Sequence, residues 1–464
     1  MAAMHSKNMQ RGSLAKSVSC NASVFPCVTN KMYRTIPSPP LTAGSSFSAS
    51  PLRIHRISKF ATLEQRSSSV IVKASVGKPW KPKDCRLVLE DGSVWTGHSF
   101  GAKGTEIGEV VFNTSLTGYE EIMTDPSYKG QFVAFTCPHI GNVGINFEDG
   151  ESAKCHLGAI IVRDLSLTVS NYRSRVTLDE YCKKENVIGI AGIDTRSLTK
   201  ALRDTGCLVG VITTDSSKSV DELVKMAKGW TIVGKDLLSV VSCEEPYEWR
   251  TGTHAEWEFA PHAVNLASTM PPFHVVAYDF GIKYNILRRL ASYGCRITVV
   301  PATYPAAEVL KMNPDGVFFS NGPGDPSAAP YAVENAKEIL GKKPVFGICM
   351  GHQILGQAFG GKTFKLKFGH HGGNHPIRYN PTGRVEISAQ NHNFAVDPAT
   401  LPSGVEVTHV NLNDGTCAGM FYKEKKAMTI QYHPESSPGP HDADICFEQF
   451  MDMMKAERTP IPVS

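Results

Sequence analysis

The sequence predicts an α/β protein, in which a domain with a doubly wound, mostly parallel sheet follows a smaller α+β domain. Two patterns lead to this prediction. From residue 272 to residue 457, short apolar runs alternate with helical patterns, which is typical of parallel strands joined by helices. Between residues 83 and 243, strand-like runs come first and helical patterns follow, which is typical of α+β domains.

The first 74 residues predict a targeting segment and no folded domain. They hold 14 serines and ten of the 48 Lys and Arg residues, whereas Glu64 is their one acidic residue. This composition is typical of an organelle transit peptide, and the serine excess favours the chloroplast stroma as its destination. Val72-Lys73-Ala74 resembles the small-residue sites at which plastid peptides are cut. A plain disordered tail is the alternative.

Charge and composition exclude several classes of function. The full chain of 464 residues carries +4, but without the targeting segment the remaining 38 basic and 43 acidic residues give −5. We therefore expect no nucleic-acid partner and no membrane partner. No run approaches the roughly 18 apolar residues of a membrane span. The twelve cysteines form no Cys-x-x-Cys pair, which favours a reduced compartment over a disulfide framework.

Local signals define the elements of the α+β domain, residues 83–243. Asp91-Gly92 lies between two apolar runs and predicts a β-hairpin. Ser219 and Glu222 have the spacing of a capping box, which predicts a helix start. Further strands are expected at 110–112, 132–135 and 159–162.

Residues 244–271 lose this periodicity and predict a linker to the second domain, residues 272–457. In a doubly wound sheet, ligands bind at the carboxyl ends of the strands, so chemistry is expected directly after each strand. Strands are expected at 274–278, 296–300, 316–320, 344–348 and 429–432, and helices at 285–293, 306–312 and 332–340.

Cys349 is the candidate nucleophile, because it lies at the centre of Gly-x-Cys-x-Gly directly after a predicted strand. A nucleophile elbow needs small residues two positions before and after its nucleophile, where strand and helix approach closely. Gly347 and Gly351 occupy these two positions. At the start of a helix, the dipole and free N–H groups favour a thiolate. A buried structural cysteine is the alternative.

His433 and Glu435 are the candidate base and orienting group. They follow the strand predicted at 429–432, and residues two apart in an extended chain point to the same side. Pro434 favours this extended conformation at His433. A lone His-x-Glu is often just a pair of solvated charges, so this pair gains its weight from the elbow, whose nucleophile needs a base.

A glycine-rich turn, Ser320 to Pro326, follows the strand predicted at 316–320. Its glycines let backbone N–H groups turn toward a ligand, although Pro323 has no N–H to donate. Acyl transfer requires such donors for the developing oxyanion. An ordinary tight turn is the alternative.

These motifs resemble those of known families, and the resemblance covers essentially the whole chain after residue 74. SNGPGDP, GICMGHQ and QYHPE are similar to the motifs of class I (triad) glutamine amidotransferases, which implies that fold for the C-terminal domain. The small subunit of carbamoyl phosphate synthase, in a plant plastid form, is the more specific resemblance, carried by FNTSLTGY (112–119), PHIGNVG (138–144), GIDTR (192–196) and FGHHGGNHP (368–376).

The resemblance implies hydrolysis of glutamine to glutamate and ammonia. Cys349 would attack the carboxamide, His433 would act as general acid and base, and Glu435 would orient the imidazole. The N–H groups of Gly322 and Met350 are the candidates for the oxyanion hole.

The resemblance also implies a set of glutamine contacts that spans both domains, since one of them precedes residue 243. Asparagine occupies position 393 where many relatives have glycine. Asparagine tolerates unusual φ angles better than most residues, so a backbone contact would survive the exchange. The implied contacts are Ser115, Gly322, Gly324, Met350, Gln353, Asn391, Asn393 and Phe394.

No metal and no cofactor are expected to bind this chain. His370, His371 and His375 lack the spacings of structural zinc sites, and their segment is predicted to be a structured loop. There is no Walker A motif. The resemblance therefore implies a hetero-oligomer, whose large subunit uses ATP and bicarbonate and receives the ammonia through an enclosed path.

Three alternatives remain at this point. The chain could serve another synthase, such as anthranilate or GMP synthesis, or act as a free γ-glutamyl hydrolase; neither accounts for the N-terminal motifs. It could also be a catalytically dead regulatory subunit, which has no need of Cys349, His433 and Glu435 together.

Overall fold

The computed structural model describes residues 82–259 and 272–458. The predicted targeting segment, residues 1–74, lies outside the described residues. Within the described ranges, no helix is both long and apolar enough to cross a membrane. All ten cysteines in these ranges are free thiols.

The N-terminal region is built on a closed barrel of seven strands, in the order β1-β2-β8-β6-β4-β3-β9. Parallel pairs join β3 to β4, β4 to β6 and β6 to β8, and the other pairs are antiparallel. The strands of this region are β1 (Cys85–Leu89), β2 (Val94–Gly101), β3 (Thr105–Asn113), β4 (Gln131–Phe135), β5 (His139–Ile140), β6 (Ala159–Ile161), β7 (Asp164–Leu165), β8 (Ile188–Ala191) and β9 (Leu208–Thr213).

The helices and turns of this region follow the predicted local signals. Asp91-Gly92 connects β1 to β2 as a hairpin, and Gly92 takes the positive φ of +88° that the turn requires. Ser219 and Glu222 form the predicted capping box. The helices are α1 (Tyr119–Thr124), α2 (Leu178–Lys184), α3 (Thr195–Thr205), α4 (Val220–Lys228) and α5 (Leu238–Val241).

The C-terminal region is a ten-stranded sheet in the order β10-β12-β11-β13-β14-β19-β18-β17-β15-β16. The predicted strands form its parallel centre, from β12 to β19, with helices between them. These central strands are β11 (Phe273–Asp279), β12 (Cys295–Pro301), β13 (Gly316–Phe319), β14 (Val345–Ile348) and β19 (Ala427–Ile430). The helices are α6 (Tyr284–Ser292), α7 (Ala306–Lys311), α8 (Pro330–Ile339), α9 (Met350–Ala358) and α10 (Ile445–Glu457).

The sheet also carries an antiparallel extension that the sequence pattern does not reveal. Its strand β18 pairs with β19, so the parallel strands lie at the centre of the sheet. The extension contributes as many strand pairs as the parallel centre has. The extension consists of β15 (Lys362–Tyr379), β16 (Val385–Asp397), β17 (Glu406–Asn411) and β18 (Cys417–Tyr422).

One local prediction is wrong. The histidine-rich segment 368–376 is predicted to be a loop, but it lies within β15, where register shifts against β16 accommodate its glycines. The segment 244–271, predicted to be a linker, contains β10 (Tyr247–Trp249), which pairs with β12 at the edge of the sheet. In both cases pairing with another strand, the adjacent β16 or the more distant β12, supplies hydrogen bonds that the local sequence pattern does not reveal.

Aromatic and branched apolar side chains fill the C-terminal region on both faces of the parallel strands. Phe318, Phe346 and Phe447 pack on one face, and Tyr278 and Phe319 on the other. These side chains are fully buried. The parallel strands are thus held between two apolar layers, which fixes the carboxyl edge where the site lies.

Candidate active site

Cys349 forms a sharp turn between β14 and α9, with φ +54° and ψ −101°. A Cβ on Gly351 would lie 2.1 Å from the Phe319 carbonyl oxygen, and one on Gly347 would lie 2.9 Å from the carbonyl oxygen of Gly351. Only glycine fits at either position. The Cys349 N–H donates to the Ile430 carbonyl at 2.8 Å. The predicted nucleophile elbow is therefore present, with the thiol at the carboxyl edge of the sheet.

His433 and Glu435 follow β19, the strand beside the elbow. The His433 Nδ1 lies 2.7 Å from Glu435 Oε1, and both side chains are buried. Of the polar atoms in the described residues, His433 Nε2 is among the few that are buried without a hydrogen-bond partner. The backbone N–H of His433 donates to the Ala389 carbonyl at 2.9 Å, so the backbone at His433 is held against β16.

Lys283, which the sequence did not single out, completes this group. Its Nζ lies 2.8 Å from Glu435 Oε1 and donates to the Ser436 carbonyl at 2.5 Å, and its side chain is 3% exposed. The only sequence signal for Lys283 is a basic residue two positions before the helix predicted at 285–293. A buried lysine with a carboxylate partner stabilises that carboxylate in its charged form.

The charges of this group depend on one another. Burial lowers the pKa of His433, but Glu435 and then Cys349 raise it, with a net rise to about 10. Burial raises the pKa of Glu435, but Lys283 and His433 lower it to about 2. Glu435 is therefore ionised at neutral pH and holds a proton on Nδ1 of His433, which leaves Nε2 directed away from the carboxylate.

Two backbone N–H groups next to Cys349 have no acceptor within the described ranges: those of Gly322 and Met350. Met350 is the first residue of α9, where N–H groups lack intrahelical partners. A Cβ on Gly322 would lie 2.3 Å from the Phe280 carbonyl oxygen, so glycine is required there too. The two predicted oxyanion donors are thus free to bind a ligand.

A small cavity of about 20 Å³ opens onto Cys349. Gln353 donates from Nε2 to the Phe394 carbonyl at 2.8 Å, whereas its Oε1 is buried without a partner. The structure thus brings together seven of the eight predicted glutamine contacts around one cavity: Gly322, Gly324, Met350, Gln353, Asn391, Asn393 and Phe394.

Ser115, the eighth, lies in an adjoining cavity, also of about 20 Å³, together with Lys283 and His433. Its N–H donates to Asn113 Oδ1 at 2.8 Å, and its Oγ is buried without a partner. Gln131, which also comes from the N-terminal region and which sequence reasoning missed, lines the first cavity with an unpartnered Oε1. Both regions therefore line the space around Cys349.

Asn391 and Asn393 use their side chains for structure. Their amide oxygens face the two ring nitrogens of His371, at 3.0 and 2.8 Å. Asn391 Nδ2 donates to Asp125 at 2.8 Å, and Asn393 Nδ2 donates to Glu109. Only their backbone remains for a ligand, and the Asn391 carbonyl already lies 3.5 Å from Cys349 Sγ.

The exchange of glycine for asparagine at position 393 was predicted to be tolerated because asparagine adopts unusual φ angles, but Asn393 needs no unusual backbone conformation. It lies in the extended strand β16 and is absent from the residues with positive φ. The sequence gives no hint that its side chain joins the two regions through Glu109.

The histidine-rich segment forms hydrogen bonds. His370 Nε2 lies 2.8 Å from Asp414 Oδ2, and Asn413 Nδ2 lies 3.3 Å from His375 Nδ1. In the part of the chain that the structure describes, no group of three or more His, Cys, Asp or Glu side chains could hold a metal ion.

An elbow cysteine, a buried His-Glu pair and free backbone donors thus meet at the carboxyl edge of the sheet. Residues 276–453 match the family model of class-I glutamine amidotransferases, and residues 87–212 match that of the carbamoyl-phosphate synthase small chain, CPSase domain. This chain belongs to the carbamoyl phosphate synthase small chain family.

Curated relatives match along most of their own length. A "Carbamoyl phosphate synthase small chain, chloroplastic" from Oryza sativa subsp. japonica is 62% identical over 391 residues, which cover 84% of this chain and 86% of the relative. The Arabidopsis thaliana protein of the same name is 62% identical over 383 residues, 82% and 88% of the two chains. The "Carbamoyl phosphate synthase small chain" of Syntrophotalea carbinolica is 51% identical over 372 residues, 80% and 98% of the two chains.

Proposed function

We propose that this chain is the glutaminase subunit of a glutamine-hydrolysing carbamoyl phosphate synthase. The observation that carries the proposal is the buried His433–Glu435 pair beside the elbow cysteine, with Nε2 of His433 unpartnered and the pKa of the ring raised. Such a ring is a base strong enough to take and keep the thiol proton, which it then gives to a leaving group.

The reaction follows from these positions. Cys349 Sγ attacks the carboxamide carbon of glutamine, and His433 takes the thiol proton on Nε2. The oxygen of the tetrahedral intermediate accepts the N–H groups of Gly322 and Met350. His433 then protonates the departing nitrogen, which leaves as ammonia, and a γ-glutamyl thioester remains on Cys349.

The second half regenerates the enzyme. His433 removes a proton from water, and the hydroxide attacks the thioester carbon. The thiolate leaves and regains its proton, and glutamate dissociates. Glu435 keeps the imidazole in one tautomer through both halves, since its oxygen accepts the Nδ1 proton at 2.7 Å. The balance is glutamine plus water to glutamate plus ammonia.

The substrate-binding role of the cavity residues is part of this proposal. Ser115 Oγ and Gln353 Oε1 are buried polar atoms without protein partners, and a ligand with complementary groups would satisfy both. Gly324 and Phe394 line the same space as the nucleophile, with Met350 and the backbone of Asn391 and Asn393.

The ammonia is passed to a large subunit, which uses ATP and bicarbonate to make carbamoyl phosphate for arginine and pyrimidine synthesis. The relatives named as small chains support this partnership. We propose a chloroplast stromal location, with residues 1–74 as transit peptide, because two plant relatives are named chloroplastic and because this segment is rich in serine and poor in acid. The domain limits 83–243 and 272–457 belong to the same proposal.

The test is a Cys349→Ser variant in the complex with the large chain. Glutamine-dependent carbamoyl phosphate synthesis should fall to background, whereas synthesis from free ammonia should stay within about twofold of wild type, because ammonia bypasses the thioester step. Cys417→Ser is the matched control, since Cys417 is an equally buried thiol that lies away from the cavities. Glutamine-dependent synthesis that survives in Cys349→Ser would refute the proposal.

A further inference from the structure

We propose that Glu151 is a positioning residue for the triad, through which the N-terminal region holds Glu435 in place from the far side of Lys283. This inference rests on the proposed glutaminase function. It concerns a carboxyl group that no sequence motif singled out and whose hydrogen-bond and ion-pair partners, Thr124, Tyr284, Asn285 and Arg288, line neither cavity.

Glu151 is fixed in the N-terminal region and faces the first turn of α6 in the C-terminal region. Its N–H donates to Thr124 Oγ1 at 2.8 Å. Its carbonyl accepts the Tyr284 N–H at 2.9 Å, and its Oε2 accepts the Asn285 N–H at 2.9 Å. The carboxylate also lies 3.6 Å from a guanidinium nitrogen of Arg288.

These contacts cap α6 from outside its own region. The residue that precedes the helix, Lys283, gives no side-chain cap hydrogen bond, and the first N–H groups of a helix lack intrahelical partners. Burial raises the pKa of Glu151 to about 7, although Lys283 and Arg288 lower it, and in its ionised form the carboxylate also interacts favourably with the helix dipole. Glu151 therefore does for α6 what an N-cap residue does in other helices.

The first turn of α6, capped in this way, holds Glu435 at two places. It contacts both the side-chain carboxylate and the backbone carbonyl of Glu435. Lys283 Nζ contacts Glu435 Oε1 at 2.8 Å, and Asn285 Nδ2 donates to the Glu435 carbonyl at 2.6 Å. Lys283 also donates to the Ser436 carbonyl. Lys283 and Asn285, which flank the Tyr284 whose N–H the Glu151 carbonyl accepts, thus determine where Glu435 lies.

Water cannot replace Glu151 at this place. Glu151 is 1% exposed, Lys283 2% and Asn285 8%. Losing the carboxylate would leave the Asn285 N–H buried without an acceptor and would remove one of the negative groups around Lys283. The turn would shift, and a shift of about 1 Å in a group that orients a catalytic base can lower a rate by up to about 100-fold.

The test compares Glu151→Leu and Glu151→Gln in the complex with the large chain. Leucine keeps the volume but accepts no hydrogen bond, whereas the glutamine amide oxygen can still accept the Asn285 N–H. We expect kcat for glutamine-dependent synthesis to fall about tenfold or more in Glu151→Leu and less in Glu151→Gln, with KM for glutamine within about twofold of wild type. Synthesis from ammonia should be unchanged.

Glu120→Leu is the matched control, because Glu120 is also a buried carboxylate that accepts two backbone N–H groups, those of Asn146 and Phe147, but within its own region. It should lower the free energy of unfolding in urea by a similar amount and leave kcat within about twofold.

Three results would overturn the inference. The first is an equal loss of kcat in Glu151→Leu and Glu120→Leu, and the second is a loss in Glu151→Leu that appears in KM alone. The third is a kcat in Glu151→Gln that is as low as in Glu151→Leu. A wild-type complex without glutamine-dependent synthesis would instead overturn the proposed function, so the two failures are distinguishable.

Discussion

Gly351→Ala tests whether the geometry of the elbow controls the chemistry. A Cβ at this position would lie 2.1 Å from the Phe319 carbonyl oxygen and 2.7 Å from its carbon, both backbone atoms of β13. Carbon and oxygen in contact stay more than 3 Å apart, so α9 or β13 must move by about 1 Å. Overpacking of this kind costs about 1–3 kcal/mol of folding stability.

The same movement displaces Cys349 from the oxyanion donors, and a misplacement of about 1 Å lowers a rate by about 100-fold. We therefore expect glutamine-dependent synthesis by the Gly351→Ala complex to fall about 100-fold, while synthesis from ammonia persists. Gly229→Ala provides the control, because its Cβ would meet nothing closer than 3.5 Å. A Gly351→Ala complex with normal glutamine use would refute the claim that this close approach sets the nucleophile.

Two buried cations give further predictions. Burial raises the pKa of Glu435, but Lys283 and the neighbouring imidazole lower it to about 2. Lys283→Met should therefore raise this pKa, so the acid limb of the kcat profile should move to higher pH. The side chain of Arg289 is fully buried, and its guanidinium contacts Asp444 at 2.9 Å and Glu258 at 2.8 Å. Arg289→Met removes this guanidinium and should lower the free energy of unfolding in urea by about 3–5 kcal/mol.

Exposed or half-exposed cations are the controls for these variants. Lys311→Met should leave the pH profile unchanged, and Arg296→Met, whose partner Glu248 lies 3.6 Å away at the surface, should change the free energy of unfolding by less than about 1 kcal/mol. An acid limb that stays in place in Lys283→Met would show that the lysine does not set the charge of Glu435.

The parallel centre of the C-terminal sheet was predictable because its signals are local. Each strand there is a short apolar run, and each helix shows a 3.6-residue period, so β11, β13 and β14 fall within about two residues of their predicted limits. The elbow was predictable for the same reason, because the steric demand for glycine at 347 and 351 is written in five consecutive residues.

Other parts depend on pairing partners that the local pattern does not reveal, some of them distant in sequence. The strand within 368–376 and the edge strand β10 exist because another strand supplies their hydrogen bonds. Lys283 is separated from Glu435 by 152 positions, and Asn393 from Glu109 by 284. When no contact is expected, the sequence pattern does not distinguish a buried lysine or glutamate from an ordinary charged residue at the surface.

The most direct test of the central claim is to trap the covalent intermediate. The complex is mixed with isotopically labelled glutamine, quenched in acid within one turnover and digested, and the labelled peptide is identified by mass spectrometry. The thioester mechanism predicts an acid-stable, base-labile γ-glutamyl group on the peptide that contains Cys349, and no label in Cys349→Ser. Label on another residue, or glutamine hydrolysis with no covalent label at any quench time in a complex that turns over in steady state, would contradict it.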